Sequence, residues 1–188
     1  MPDVQLSDRR RVAALREMGL LTDSPEEAYD RFTRLAATIV DAPIALFTVI
    51  TEHEQFFRSQ VGLPEPLATS RRTPLSHSFC QYVILSSAPL EVVDAREHPV
   101  VKGNPAIKEL QVIAYLGVPL ITRRGETLGS LCAIDREPRS WTERDRTVLR
   151  DLAAATVTEV ELRRTTREAV ELASRLEAAL RGGKETGA

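Results

Sequence analysis

Three segments in the middle of the chain are apolar on both of the faces that alternate along an extended strand. The segment 44–51 is rich in β-branched residues, and the segments 112–122 and 127–135 flank a polar turn at 123–126. This pattern predicts one central strand and one hairpin. In 112–122 one face carries Val112, Ala114, Leu116, Val118 and Leu120, and the other carries Ile113, Tyr115 and Ile121. A sheet built from such strands must be covered on both faces.

Helical segments near the start of the chain can supply one of these covers. Ser7 and Gly19 predict the start and the end of a short first helix. A second helix is predicted from Ser24, because Ser24, Pro25 and Glu27 have the spacing of a capping box with proline at the first helical position. Residues at helical spacing then predict one buried stripe, which consists of Ala28, Phe32, Leu35, Ala36, Ile39 and Val40.

The second cover must come from the segment 62–111, which has no long helical pattern. It predicts an irregular loop at 62–76, a short helix from Ser78 to Leu85, a short strand at 90–93 and a brief helix at 104–110. Loops and short helices do not interlock as tightly as long helices. We therefore expect a ligand cavity between this roof and the sheet.

The segment 142–181 predicts a single long helix, with Thr142 and Asp145 as its cap and Gly182 as its end. Steps of four and three residues mark a seam typical of a left-handed coiled coil, at positions 148, 152, 155, 159, 162, 166, 169, 173, 176 and 180. At 1.5 Å per residue this helix is about 60 Å long, too long to be buried on one small domain. We expect its second half to project and to pair two copies into a homodimer. The alternative is a solvated, partly frayed helix, since alanine and threonine weaken such a seam.

Composition excludes several classes of protein. The 188 residues suffice for one hydrophobic core, and 43% hydrophobic with 28% charged residues is ordinary globular usage. A net charge of −2 predicts no nucleic-acid partner and no anionic membrane partner. The polar N-terminus does not resemble a signal peptide, and the longest apolar stretch, 42–50, is far shorter than the ~20 residues of a spanning helix. Two cysteines suit a reducing compartment, so we expect a cytoplasmic protein.

Four motifs, in order and at the right spacing, resemble the GAF domain family. They are SFC at 78–80, LEVVDA at 90–95, YLGVPL at 115–120 and LGSLCAID at 128–135. The resemblance covers about 24–162. It implies an α/β (α+β) fold with a mainly antiparallel sheet of five to six strands, long helices on one face, and short helices and loops over a small-molecule pocket on the other. We accordingly divide the chain into an N-terminal helical extension (1–23), a GAF-like sensor domain (24–162), and a projecting coiled-coil-like helix with a flexible tail (163–188).

The resemblance also implies a function, as the sensing or dimerising input of a signalling protein, commonly beside histidine kinases, diguanylate cyclases or phosphatases. Few residues follow position 162, so we expect output through a partner effector, a separate chain or a region outside this sequence. Where related sequences usually have an aromatic pair before Gly117, this chain has Ala114, Tyr115 and Leu116, which reshapes the pocket. The acidic and asparagine-rich signature of cyclic-nucleotide-binding GAF domains is not visible, so that ligand is not carried over.

The roof, the sheet and the resemblance together predict the pocket residues. The short helix contributes Phe79, Cys80, Tyr82 and Val83, the sheet contributes Ile113, Tyr115 and Cys132, and the rim carries Asp94 and Asn104. The alternative is that these side chains fill the core and leave no cavity. The ligand is unknown.

Cys80 has two interpretations. At the start of a short helix its thiolate can be stabilised, as a redox sensor or a site of covalent chromophore attachment requires. The alternative is a small buried apolar residue, which is the interpretation we favour for Cys80 and adopt for Cys132. His77 and Cys80 could share a helical face, but zinc needs about four such ligands and no second pair exists, so no metal is expected. Haem through His77 or His98, and bilin through Cys80, are not expected either.

No nucleophile elbow, metalloprotease helix or P-loop is present, and we therefore predict that the chain is not an enzyme. Free methionine sulfoxide reduction has a precedent in the resembled fold, but it uses several cysteines in the pocket, and the two here lack that spacing. Three functions remain from the sequence. They are a non-catalytic sensor that binds an unknown small molecule and dimerises through its terminal helices, a ligand-free dimerisation or docking module, and a Cys80-dependent redox sensor.

Overall fold

The computed structural model describes residues 6–185, with side chains up to Arg181. Within this range the α-helices are α1 (Arg9–Glu17), α2 (Glu27–Val40), α3 (Leu67–Ser70), α4 (Cys80–Ser86), α5 (Ala106–Glu109) and α6 (Glu143–Glu185), and a 3-10 turn spans Leu75–His77. The strands are β1 (Ile44–Ile50), β2 (Glu54–Val61), β3 (Arg72–Pro74), β4 (Leu90–Val92), β5 (Ala114–Ile121) and β6 (Thr127–Asp135).

The strands form one sheet in the order β3-β2-β1-β6-β5-β4, and every neighbouring pair is antiparallel. Strand β1 lies near the centre, and all seven of its residues are buried. Strands β5 and β6 form the predicted hairpin, with Gly117 opposite Cys132. The predicted fold class, a mainly antiparallel sheet of five to six strands combined with helices, is confirmed.

Each face of the sheet carries its own hydrophobic cluster. Alternate residues of β5 point toward the helices α1, α2 and α6. They are Ala114, Leu116, Val118 and Leu120. Tyr115 and Ile113 belong to the opposite cluster, under α4 and α5. The predicted division of faces therefore holds along most of β5. Val112 lies in the opposite cluster because the strand begins only at Ala114, and Ile121 is 40% exposed beyond an irregularity after Leu120.

Helix α2 begins later than the sequence predicts. It starts at Glu27, its cap residue Glu26 has extended backbone, and no side chain caps its first turn. The predicted capping box at Ser24 is wrong, because the chain runs over a buried arginine at this point. The Arg58 guanidinium donates to the backbone carbonyls of Thr22 (2.5 Å) and Ser24 (3.0 Å), which holds this segment outside the helix.

The buried stripe of α2 is also rotated relative to the prediction. Buried residues of the helix are Ala28, Tyr29, Thr33, Ala36 and Val40. Leu35 and Ile39, which were predicted to be buried, are 39% and 38% exposed. Tyr29 takes up core space because its ring packs edge-on against the Phe47 ring of β1, with centroids 5.3 Å apart. The helix therefore leaves an apolar margin on its outer side.

Other helix starts differ in how well the sequence predicts them. Helix α1 is capped by Asp8 rather than Ser7, since the Asp8 carboxylate accepts from the Arg10 amide at 2.9 Å. The cap of α6 is confirmed and is reciprocal. The Asp145 amide donates to Thr142 Oγ1 at 3.1 Å, and the Thr142 amide donates to Asp145 Oδ2 at 2.9 Å.

Helix α6 packs through a different face from the predicted seam. Its buried residues include Leu149, Ala153, Val157 and Val160, which are offset from the seam positions by one or two residues. From position 165 to 181 every residue is exposed, and the backbone stays helical past the predicted stop at Gly182. Glycine lowers helix propensity by about 1 kcal/mol without forbidding the conformation. None of the helices described between residues 6 and 185 is long and apolar enough to cross a membrane.

Arg58 is the largest side chain in the fully buried part of the core, and its burial provides a test of the fold. Burial lowers its pKa, and two of its guanidinium nitrogens have no hydrogen-bond partner within the described chain. We expect Arg58→Ala to lower the free energy of unfolding by about 3 kcal/mol, because it removes the bonds to the Thr22 and Ser24 carbonyls and leaves a cavity. Urea unfolding measures this change.

Arg72 provides the matched control. Its side chain is 38% exposed and pairs with Asp23 and Glu54 at the surface. Arg72→Ala should therefore change the free energy of unfolding by less than about 1 kcal/mol. Equal losses for the two variants would show that Arg58 does not anchor the segment before α2.

Candidate functional site

A small cavity lies on the sheet face opposite the long helices, beneath the segment 62–80. Its roof includes Leu63, Leu67 and Phe79, and its floor includes Leu46 and Tyr115. The volume is about 40 Å³. One water occupies roughly 30 Å³ of liquid, and drug-sized ligands occupy pockets of roughly 300–1,000 Å³. In this conformation the cavity therefore admits only a molecule of very few heavy atoms.

The structure brings some of the predicted pocket residues to this cavity. Phe79, Cys80 and Tyr115 line it, and the rings of Phe79 and Tyr115 lie 5.5 Å apart between centroids. Val83 and Cys132 are fully buried in the same cluster but do not line the cavity. Tyr82 and Ile113 are half-buried at the margin of that cluster.

Asp94 and Asn104 have other contacts. The Asp94 carboxylate accepts from Arg96 at 2.8 and 2.5 Å, and this hydrogen bonding lowers the pKa of Asp94. Asn104 Oδ1 accepts from the Ala106 amide at 2.9 Å, and its Nδ2 donates to the Ser78 carbonyl at 3.4 Å. Both residues thus shape the turns around the roof, and neither lines the cavity.

Two polar residues that line the cavity, Gln55 and His77, were not among the predicted pocket residues. Gln55 is buried, accepts from Ser78 Oγ at 2.5 Å and donates to Thr73 Oγ1 at 3.0 Å. His77 pairs through Nε2 with the Glu109 carboxylate at 3.0 Å. The sequence offers no clear signal for Gln55, because β2 also carries the polar residues Glu54, Arg58, Ser59 and Gln60. Strand β3, which holds Thr73, lies in a loop that was predicted to be irregular.

The two cysteines meet beside the cavity. Cys80 Sγ lies 4.0 Å from Cys132 Sγ. The sequence assigned both residues to one pocket but did not predict that their sulfurs meet. The Tyr115 hydroxyl donates to Cys80 Sγ at 3.3 Å and lies 3.4 Å from Ser130 Oγ. All four side chains are at least 98% buried. We call Cys80, Cys132, Tyr115 and Ser130 the thiol cluster.

Strand pairing explains how the thiol cluster assembles. Cys132 lies opposite Gly117 in the β5–β6 ladder, and Tyr115 lies two residues before that glycine on the same face. A Cβ atom at Gly117 would come within 2.1 Å of the Tyr115 hydroxyl. The missing side chain therefore lets the tyrosine lie along the strand. Ser78 positions Cys80 from the other side, because Ser78 Oγ accepts from the Gln81 amide at 3.0 Å in the first turn of α4.

The two thiols differ in acidity. The hydrogen bond from Cys132, with a smaller contribution from Tyr115, lowers the pKa of Cys80 to about 7 against the cost of burial. Burial, followed by the proximity of Cys80, raises the pKa of Cys132 well above its ordinary value. Burial likewise raises the pKa of Tyr115. As the pH rises, Cys80 is therefore the first of these three groups to lose its proton.

Comparisons with known proteins agree with this architecture. The family model described as the GAF domain matches residues 24–160. A protein of Pseudomonas aeruginosa named cyclic di-GMP phosphodiesterase is 35% identical over 167 residues, which are 88% of this chain and 28% of that protein. The chain therefore spans little more than a quarter of the curated relative that it matches.

Solved structures share the fold at low sequence identity. The GAF domain of a phosphoenolpyruvate-protein phosphotransferase from Coxiella burnetii has a TM-score of 0.64 and 20% identity, over 84% of this chain and 96% of that one. A free methionine-R-sulfoxide reductase from Neisseria meningitidis has a TM-score of 0.56 and 18% identity, over 80% and 87%. Another such reductase, from Thermoplasma acidophilum, has a TM-score of 0.58 and 14% identity, over 71% and 90%.

These comparisons correct one prediction. We predicted from the absence of catalytic motifs that the chain is not an enzyme, and that prediction is wrong. The Pseudomonas relative is named a phosphodiesterase, and two proteins of the same fold are named reductases. The nucleophile elbow, the metalloprotease helix and the P-loop belong to other folds, so their absence carries no weight for this one.

The acidity of Cys80 can be measured directly. Thiolate absorbance near 240 nm should titrate with a midpoint near pH 7, with thiolate present above the midpoint and lost below it. Cys80→Ser should abolish this step. Tyr115→Phe should move the midpoint upward, because it removes a hydrogen-bond donor to the thiolate.

Tyr82→Phe is the matched control for that titration. Tyr82 lies on α4, as Cys80 does, but it is half-buried and is not a member of the thiol cluster. This variant should leave the midpoint unchanged. A wild-type midpoint near 9, or equal shifts in both tyrosine variants, would contradict the assigned role of Tyr115.

Proposed function

This chain belongs to the GAF domain family, and we propose that it is the signal-input module of a signalling protein, pairing with a second copy through α6 and binding a small molecule beneath α4. The family match over 24–160 confirms the resemblance that the four sequence motifs indicated. The family is one of signalling and sensor domains. Pairing and ligand binding are the proposed part, and each has its own support.

The exposed half of α6 is the observation that carries the pairing. Helix α6 has 43 residues, about 65 Å at 1.5 Å per residue, and only its first half packs on the sheet. Leu162, Leu176 and Leu180 lie on the predicted seam and are 56–71% exposed. Leucines in this spacing favour a second helix of the same kind as the partner, because it offers the same seam in return.

Contacts near the middle of α6 can couple the sheet to the projecting half. Arg163 pairs with Glu26 at 2.5 Å and lies over the Tyr29 ring, 5.7 Å from its centroid. Arg167 donates to the Met18 carbonyl at 2.6 Å. Since Tyr29 also packs on Phe47 of β1, a change in the sheet can shift the position of α6.

The small cavity supports two different functions for the opposite face. A ligand of metabolite size needs α4 or the segment 62–76 to move, because the volume of about 40 Å³ admits only a very small molecule. The same small volume favours a second candidate, a dimerisation or docking module that binds no metabolite. For the output we propose an effector that acts on cyclic di-GMP, on the basis of the name of the Pseudomonas relative.

A charge on the seam should break the pairing. Leu176→Glu places a carboxylate at a core position of the paired helices, and we expect the dimer dissociation constant to rise at least tenfold. Sedimentation velocity over a concentration series measures this constant. Leu172→Glu is the control, because Leu172 has the same exposure (59% against 56%) but flanks the seam. A monomeric wild type, or equal effects of the two variants, would refute pairing through α6.

Native mass spectrometry of the freshly purified chain distinguishes the two functions of the opposite face. We expect a dimer mass that carries an additional small molecule, which is released when the protein is denatured. The bare dimer mass from several expression hosts would instead support the docking module. Phe79→Trp should reduce ligand occupancy, because a larger ring fills the cavity, and should leave the dimer intact.

A further inference from the structure

The cavity reaches one of the two cysteines and stops short of the other. Cys80 lines it, while Cys132 lies behind Cys80 on β6 with its sulfur 4.0 Å away. A molecule in the cavity therefore meets Cys80 first, and the product of that encounter lies next to a second thiol. This order is the arrangement that a two-step thiol oxidation requires.

We propose that Cys80 and Cys132 form a peroxide-reactive dithiol, in which Cys80 attacks a small hydroperoxide in the cavity and Cys132 then closes a disulfide between α4 and β6. This inference rests on the proposed function only in treating the face beneath α4 as the input site. The chemistry itself requires neither a dimer nor a metabolite.

The reaction balances with the peroxide as the only oxidant. The Cys80 thiolate attacks one peroxide oxygen, an S–O bond forms, the O–O bond breaks, and the leaving hydroxide takes the proton that Cys80 had released. The Cys132 sulfur then attacks the Cys80 sulfur. The S–S bond forms, the S–O bond breaks, and water leaves with the Cys132 proton. In total two thiols lose two electrons, and one hydrogen peroxide becomes two waters.

The second step requires the Cys80 and Cys132 sulfurs to move only a short distance toward each other. A disulfide has an S–S length of about 2.05 Å, so the sulfurs must approach by roughly 2 Å. Side-chain rotation at Cys80, which lies at the first residue of the short helix α4, can supply part of this movement. Tyr115 is the positioning residue, because its hydroxyl bonds Cys80 Sγ at 3.3 Å and is adjacent to Ser130.

The volume of the cavity selects the oxidant. Hydrogen peroxide has two heavy atoms and fits a space of about 40 Å³. Glutathione disulfide is many times larger and cannot reach Cys80 unless the roof opens. The native fold should therefore favour the peroxide over the large disulfide, and unfolding should remove this preference.

The test uses the full chain, reduced and transferred to anaerobic buffer at neutral pH, with hydrogen peroxide as the probe. We expect the wild type to lose two hydrogens in intact mass, with Cys80 and Cys132 joined in the peptide map. Cys132→Ala should react more slowly, because it loses the hydrogen bond that lowers the pKa of Cys80. It should stop at a sulfenic acid on Cys80, seen as one added oxygen in intact mass and trapped by dimedone once the chain is unfolded. Cys80→Ala should remain reduced at the same peroxide concentration, because Cys132 is protonated and does not line the cavity. Circular dichroism verifies that each variant is folded.

Two further measurements of oxidation rates can refute the proposal without any cysteine variant. The ratio of the peroxide rate to the glutathione disulfide rate should be at least about tenfold greater in the native chain than in urea, because only the native cavity sorts oxidants by size. Tyr115→Phe should slow peroxide oxidation several-fold, while Tyr82→Phe should not. Equal rate ratios in the native and unfolded states, or oxidation without a Cys80–Cys132 link, would overturn the proposal. The dimer measured by sedimentation is an independent readout, so it can fail or succeed separately.

Discussion

The pairing of β1 with β6 places two strands that are buried on both faces near the centre of the molecule. A single covering layer would bury the apolar side chains on only one face of these strands, so the chain must supply two layers. The long helices provide one layer, and α4, α5 and the neighbouring loops provide the other. The division of the molecule into a helical face and a roofed face follows from this constraint.

The two covers differ in what they can do. The helical face is held by a large side-chain cluster and by polar contacts that join distant segments, as when Arg139 donates to the Asp41 carbonyl and stacks over Trp141. The roofed face is built from short elements and holds the cavity and the thiol cluster. The cavity and the two thiols therefore lie on the roofed face, while α6 leaves the helical face with its second half exposed.

Membership of the GAF family places the chain among signalling and sensor domains without assigning it a ligand. The curated relative is more than three times as long as the matched segment, so its phosphodiesterase name describes a larger protein. Two proteins named reductases share the fold, so the fold by itself does not distinguish a sensor from an enzyme.

The sequence alone determined the two-sided sheet, the β5–β6 hairpin, the Thr142–Asp145 cap and the family, because each depends on local periodicity or on residues close in the chain. It did not determine the start of α2 or the rotation of its buried face, since both depend on Arg58 and Phe47, which arrive from strands far along the chain. The approach of the Cys80 and Cys132 sulfurs to 4.0 Å was not determined either, although the sequence assigned both residues to one pocket. It requires the docking of α4 on β6 and the absence of a side chain at Gly117, and only the tertiary structure brings these together.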